Sequence, residues 1–364
     1  MTIRSCARRV ARAMSTRAVS WGGVIALLSF GFPLRLEALP EPFALIDLHV
    51  DLSYRSLYKQ RPFADGSGQY AARQLYRAGV RGVVLPLYLP VDASPQGRTR
   101  AELERSYAHV FRAIVATPPY ALMGCQATFA ADTQRPVETW LAFEDAGALG
   151  ADVQEVRKWT LRGVRSFGLV HNEPNVLSTS SAQAEPMGFG LSADGKKFVE
   201  QVMSVDGLVD VSHASDRATD DALDIAERLG KPVIATHSNA RALAPHPRNL
   251  TDRQIQRIAQ SGGVIGVNFH QRFLAPDGGA NATMDDLVRQ VKYLLARGGP
   301  GAVGIGSDFE GGIRPVPGLE DVGQVQKLAQ ALLRAGLSRD QVRDVFGRNA
   351  RRVLCGKQTS SAQP

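Results

Sequence analysis

Eight short apolar runs recur between Leu39 and Leu354, and segments with helical spacing separate most of them. The runs are ALIDLHV (44–50), VVLPLYL (83–89), TWLAFE (139–144), GVRSFGLVH (163–171), LVDVSH (208–213), PVIATH (232–237), GVIGVNF (263–269) and AVGIGSD (302–308). Near-continuous apolar strands of this kind belong to parallel sheets buried on both faces. Eight strands alternating with helices make repeated βα units, so the expected fold is an α/β chain closed into a (β/α)8 TIM-like barrel.

The intervening segments support the alternation. RTRAELERSYAHVFRAIVA, ADGKKFVEQVMSV, SDRATDDALDIAERL, MDDLVRQVKYLLARG and LEDVGQVQKLAQALLRAG carry apolar residues at helical spacing. LTDRQIQRIAQSG opens with Thr251-Asp252 as its cap and ends near Gly262. The stretch from Val91 to Thr139 is harder to place, because Pro118-Pro119 and the region around Cys125 fit loop or added structure.

Most of these runs end in a residue that binds metals or carries protons. His49 and Asp51 close the first, Glu144 the third, His171 the fourth, His213 the fifth, His237 the sixth and Asp308 the eighth. A barrel builds its active site at the carboxyl ends of its strands, so these side chains are expected to meet there. His49 and Asp51 are two apart and point the same way. Neutral imidazoles are good zinc ligands, and a carboxylate such as Glu144 is able to bridge two divalent ions. One strand-end histidine is usually structural, but this set together is poorly explained that way. Asp308 is favoured over its neighbour Glu310 for proton transfer, because it directly terminates the apolar run. Arg248, on the loop after the sixth strand, is placed to grip a carboxylate, although a surface role is the ordinary one for an arginine there.

Composition places limits on the remainder. The net charge of +8 is concentrated in the first 38 residues, where six arginines and one acid contribute +5. No basic block elsewhere points to nucleic acid. The leader joins a basic stretch to the apolar run WGGVIALLSFGF, which is short for a membrane span and suits the core of an export signal. The expected organisation is an export signal or uncleaved N-terminal anchor over 1–38, a catalytic barrel over 39–355 and a disordered tail over 356–364. A misassigned start codon is the least favoured alternative for the leader. The expected location is exported, periplasmic or extracellular. Membrane attachment would run only through the N-terminal segment. Cys125 and Cys355 read as buried free thiols, with one structural disulfide as the alternative in an exported protein. Asn249-Leu250-Thr251 and Asn281-Ala282-Thr283 match the glycosylation pattern.

The segments IDLHVDL, FEDAGALG, LRGVRSFGLVHNEPN, GLSADGKKFVEQV, VDVSHAS, PVIATHSNARALAPHPRNLTDRQI, GGVIGVNF and VGIGSDFEGG together resemble the membrane dipeptidase (renal dipeptidase) family of amidohydrolase-like zinc peptidases. The resemblance runs from about Ala44 to Leu354, and Val209–Asn249 is its most specific part. It implies a zinc-dependent dipeptidase with two Zn2+ per chain. His49, Asp51 and Glu144 would hold one ion, and Glu144, His213 and His237 the other. His171 would face the substrate and polarise its carbonyl, Arg248 would hold its terminal carboxylate, and Asp308 would manage protons. Tyr54 falls near an aromatic pocket position, and a homodimer is a family-level expectation.

The chain departs from the family pattern at several points. VVLPLYL lacks the usual polar and aromatic residues, His270 replaces an aromatic near the substrate, FEDAG replaces a glycine pair, and Glu310 stands where Asp is usual. None removes a ligand, so substrate preference is what they leave open. The mechanism that follows from two metals is attack on a peptide carbonyl by a metal-bridging hydroxide. The competing readings are another dinuclear-metal amidohydrolase, acting on acyl amino acids, lactones, β-lactams or phosphotriesters, and a catalytically silent binding protein on the same barrel.

Overall fold

The computed structural model describes residues 41–90, 99–122, 125, 136–183 and 188–356. The expected leader over 1–38 and all but Gly356 of the expected tail lie outside the described residues. No helix among the described residues is long and apolar enough to cross a membrane.

Nine strands form one sheet: β1 (Leu45–Asp47), β2 (Val80–Leu87), β3 (Tyr120–Ala121), β4 (Val137–Phe143), β5 (Val164–Gly168), β6 (Leu208–Asp210), β7 (Val233–Ile234), β8 (Ile265–Val267) and β9 (Val303–Ile305). The pairing order is β7-β6-β5-β4-β2-β1-β9-β8, parallel throughout. A parallel bridge between Ala235 and Ile265 links the two ends and closes the ring. The two-residue β3 lies outside the ring and pairs with the start of β4. It falls in the stretch that the sequence left unplaced, and a two-residue strand is too short to carry a periodic signal.

Each of the eight apolar runs lies at a ring strand, but most of the strands are shorter than the runs. β7 holds only Val233 and Ile234. The chain leaves the ladder early and bends, which turns the following polar residues inward. His213 and Asp308 both take left-handed backbone, at φ +68° and +65°. Glycine permits the closest packing in the ring. A Cβ on Gly266 or Gly306 would lie within 1.9 Å of the Thr236 carbonyl oxygen.

Helices between strands begin on side-chain caps, of which Thr251 was expected. Ser192, Ser215 and Thr251 each accept a hydrogen bond from the backbone three residues on, and Thr251 forms a reciprocal capping box with Gln254. Gly230 ends Asp216–Leu229 in the left-handed conformation.

Strand side chains divide between two cores, as alternation requires. One set packs outward against the helices around Trp159, Phe143, Phe167 and Phe198. The other, with Ile46, Leu48, Val84, Trp140, Leu208, Ile234 and Val264, packs with Ala350, Val353 and Leu354 from the terminal helix Asn349–Cys355. Beside this second core Cys125 and Cys355 form a disulfide across a sequence separation of 230. The expectation of free thiols is therefore corrected. Sequence distance hides the pairing, because the barrel carries its last helix back to the loop before β4.

Candidate metal centre

The strand-end residues predicted from sequence converge at the carboxyl end of the ring, and Glu144 is their meeting point. Its Oε1 lies 3.5 Å from His49 Nε2, 3.3 Å from His213 Nε2, 3.6 Å from His171 Nε2 and 3.8 Å from His237 Nε2. Asp51 Oδ2 lies 3.5 Å from His49 Nε2. Three groups have donor atoms close enough to share an ion: His49–Asp51–Glu144, Glu144–His171–His213 and His49–His237–Asp308. His49, Asp51, Glu144, His213 and His237 are all buried. Glu144 is only 7 % exposed.

The hydrogen-bond network sets the tautomers of the rings. Asp210 accepts from the backbone of Ser212 and Thr236, and also from Thr236 Oγ1 at 2.5 Å. With its proton committed to that carboxylate, the Thr236 oxygen acts only as an acceptor. His237 Nδ1 lies 2.9 Å and His49 Nδ1 3.3 Å from it, so both rings hold their Nδ1 protons there. His213 Nδ1 sits 3.1 Å from the Asn172 side-chain oxygen, which again leaves the proton on Nδ1. The Nε2 lone pairs of His213 and His237 then face each other at 3.0 Å, with no proton to share between them. His49 Nε2 is buried without a hydrogen-bond partner. Lone pairs and carboxylates converging in a buried space suit a bound cation. An outer set of groups that holds the far ring nitrogens is the usual support of histidine ligands.

The electrostatics agree. Burial holds His213 and His237 well below the ordinary histidine range, and nearby positive charges, Arg248 among them, add to this. Both rings are therefore neutral and suited to ligation. Burial also opposes the charge on His49, but Asp51 and Glu144 outweigh it and push the ring well above its ordinary range. Burial opposes ionisation of Glu144, yet the surrounding histidines keep its carboxyl well below the usual range. Burial, with the charge of Asp51 beside it, raises Asp308 to about 7. The nitrogen and carboxylate donors, the orphaned His49 nitrogen and the opposed lone pairs suit divalent zinc or a similar ion.

The centre forms the floor of a cavity of about 830 Å³ that Tyr54, His171, Arg248, His270 and Asp308 also line. Asp308 takes a hydrogen bond from Asn268 Nδ2 at 2.9 Å. A Cβ on Gly311 would come within 2.6 Å of both the Asp308 and Asp51 carboxylates, so only glycine leaves them room. Glu310 turns away from the cavity. Its carboxylate takes hydrogen bonds from Arg55 at 2.6 Å and from the Tyr70 backbone at 2.8 Å, which separates it from the role considered for Asp308. Arg248 is 7 % exposed, has no carboxylate within ion-pair distance among the described residues, and lies 5.7 Å from the centre of the Phe273 ring.

Sequence reasoning missed several of the cavity's residues. Tyr88, inside the VVLPLYL run described as lacking an aromatic, lines the cavity 4.7 Å from the His171 ring and 5.4 Å from Tyr54. The signal was one polar-tipped aromatic at the end of an aliphatic strand. Asn172, His246, Arg272 and Phe273 also line it. Asp145, in place of one of the usual glycines, accepts from the His171 backbone and from Asn175 Nδ2, and so anchors the loop that carries His171. Of the two glycosylation patterns, Asn249 is buried and donates to Ala244 and Phe273 carbonyls, whereas Asn281 is exposed.

Residues 34–363 match the family model of the membrane dipeptidases, peptidase family M19. Among solved structures, a metallo peptidase from Rhodobacter sphaeroides, liganded with a phosphinate mimic of the dipeptide L-Ala-D-Ala, is similar. Its TM-score is 0.76 at 25 % identity, over 86 % of this chain and 99 % of that one. The dipeptidase AC structure, a family M19 metallo peptidase, gives 0.76 at 26 % identity over 86 % of this chain and 98 % of that one. Dipeptidase tcpJ of Claviceps purpurea is 35 % identical over 206 residues, covering 57 % of this chain and 48 % of the relative. The match thus spans about half the length of that curated relative.

Proposed function

Because the chain belongs to the membrane dipeptidase family, peptidase family M19, we propose that it is a zinc-dependent dipeptidase that hydrolyses the peptide bond of free dipeptides. The observation that carries this reading is the convergence of His49, His213 and His237 nitrogens and the Asp51 carboxylate on Glu144, with no proton left to bond His213 to His237. His49, Asp51 and Glu144 would hold one ion, and Glu144, His213 and His237 a second. Bound divalent ions supply Lewis acidity, which polarises a carbonyl and makes water acidic enough to attack near neutral pH.

The chain's own residues supply the remaining roles. Arg248 stands buried and without a carboxylate partner at the cavity wall, ready to hold the substrate's terminal carboxylate. That grip sets how far the scissile bond lies from the chain end, and so limits substrate length. His171, on the cavity side of Glu144, donates to the carbonyl oxygen as charge develops on it. Asp308, raised to about 7, takes the proton of the attacking water and passes it to the leaving amine. Tyr54 and His270 line the substrate space. The Cys125–Cys355 disulfide supports an oxidising location, in keeping with export. The alternative of another amidohydrolase uses the same metal centre, but Arg248, which donates to the His237 carbonyl at 3.3 Å and meets no carboxylate among the described residues, favours a substrate with a free carboxylate near the reacting bond.

The test is amine release from free and C-terminally amidated dipeptides, with chelated and zinc-restored protein. Zinc-dependent cleavage of the free dipeptides, lost on amidation, is the expected outcome. Equal cleavage of the amides would remove Arg248 from its role, and no cleavage by fully metallated protein would move the activity to another amide or ester.

A further inference from the structure

The cavity is polarised. Its acids, Asp51, Glu144 and Asp308, belong to the floor, whereas one stretch of wall gathers Arg248, Arg272, His246 and His270 around Phe273. The His246 and His270 rings lie 4.7 Å and 4.9 Å from the Phe273 ring, and the Arg248 guanidinium 5.7 Å. Arg272 precedes Phe273 in the short turn Gln271–Phe273. A second segment, which contributes Arg314, is stitched to this turn. Gln271 donates to the Arg314 and Pro315 carbonyls at 2.9 Å and 2.8 Å, and His270 bridges to Pro315.

Arg272 and Arg314 are exposed, and neither has an ion-pair partner among the described residues. Several other exposed arginines, Arg228, Arg343 and Arg348 among them, reach carboxylates. Burial, with the charges of Arg272 and Arg248, holds His246 down at about 4, and burial lowers His270 as well. Both imidazoles are therefore neutral, polar groups, and the positive charge of this wall comes from its guanidinium groups.

We propose, resting on the dipeptidase reading, that Arg272 makes this pocket selective for dipeptides whose C-terminal residue is acidic, aspartate or glutamate. Arg248 takes the main-chain carboxylate, and Arg272 at the rim takes the side-chain carboxylate. Arg248 and Arg272 line one wall beside Phe273, so a residue with two carboxylates is able to meet both. A neutral side chain would leave Arg272 in water at no cost, so selection comes from the added attraction alone. Clefts lined by one sign of charge concentrate ligands of the other, and salt weakens the effect.

The experiment compares kcat/KM for Ala-Asp and Ala-Glu with the near-isosteric Ala-Asn and Ala-Gln, using the zinc-loaded full chain at low and high salt. The acids should exceed the amides by on the order of tenfold, the worth of one charge-assisted hydrogen bond, chiefly through KM. The ratio should shrink in high salt. Arg272→Gln should bring it close to one, and Arg272→Lys should keep part of it. Cleavage of acids and amides at equal rates by the wild type, or an unchanged ratio in Arg272→Gln, would overturn the assignment and leave the dipeptidase reading standing. Cleavage of none of the four, nor of Ala-Ala, would remove both.

Discussion

The two ends of the barrel bury opposite chemistry. At the carboxyl end, four imidazoles and three carboxylates crowd into a buried space, with lone pairs opposed at 3.0 Å and a histidine nitrogen left without a partner. At the other end, Ile46, Val84, Trp140, Leu208 and Ile234 pack against the terminal helix, and the Cys125–Cys355 disulfide ties that helix to the loop before β4. A second space of about 1300 Å³ lies beside the disulfide, and none of the strand-end histidines or carboxylates lines it. One end is arranged at a cost in stability for what it binds, and the other is arranged only to hold. Barrels allow this separation because the strands are rigid through both ends, and only the loops at one end need to carry polar groups.

That contrast can be broken most severely at Glu144. Glu144→Gln removes the charge on which both proposed ion sites depend. It should lower bound zinc, measured by atomic absorption, and leave activity near background. Retention of two ions per chain with normal turnover would make the two ends alike in being merely structural. Asp308→Asn is the sharper cut, because it should keep the metal while lowering kcat by roughly 10²–10⁴-fold. Near-normal turnover would remove the proton-transfer role.

A smaller effect is expected one layer out. Thr236→Val keeps the volume but removes the oxygen that fixes the His49 and His237 tautomers. Metal affinity should fall by about 10–100-fold in competition with a chelator, with the fold intact by circular dichroism. Unchanged affinity would show that the Asp210–Thr236 relay does not orient the ligands. At the opposite end, replacing Cys125 and Cys355 with serine should lower stability by on the order of 2–5 kcal/mol, since the cross-link closes a long loop. Zinc content and KM should stay unchanged, and a changed KM would couple the two ends.

The smallest effect is in the metal-free protein. Burial raises Asp47 to about 6 and Asp308 to about 7, above their unfolded values. The folded state therefore holds protons that the unfolded chain has released between roughly pH 4 and 7. The stability of the metal-free protein from this source is full below that window and is lost as pH rises through it. The neutral buried His213, His237 and His246 contribute with the opposite sign, so the two acids are read by difference: the Tm of Asp47→Asn or Asp308→Asn relative to wild type should rise as pH climbs through the window. A difference independent of pH would contradict the buried placement of the two acids.

The eight ring strands were legible in the sequence because parallel strands covered on both faces must be apolar, and few other segments of such length are. His49, Asp51, Glu144, His213, His237 and Asp308 were legible for a related reason. A polar residue that ends an apolar run has nowhere to go but the end of the strand. Tyr88, Asn172, Arg272 and Asp145 were not legible, because their roles come from neighbours on other loops. Nothing adjacent to Tyr88 in sequence reveals that His171 lies 4.7 Å away.

The eight ring strands, the barrel class and the identity of the converging donors follow from the sequence alone, because they depend on local polarity and its period. The tertiary structure alone decided which nitrogen of each histidine faces Glu144. It also decided that Glu310 is committed to Arg55 while Asp308 faces the cavity, that Cys125 meets Cys355, and that Arg248 and Arg272 share one wall. Each is a contact between segments far apart in the chain, and closing the ring, which no local pattern encodes, fixes the distance between them.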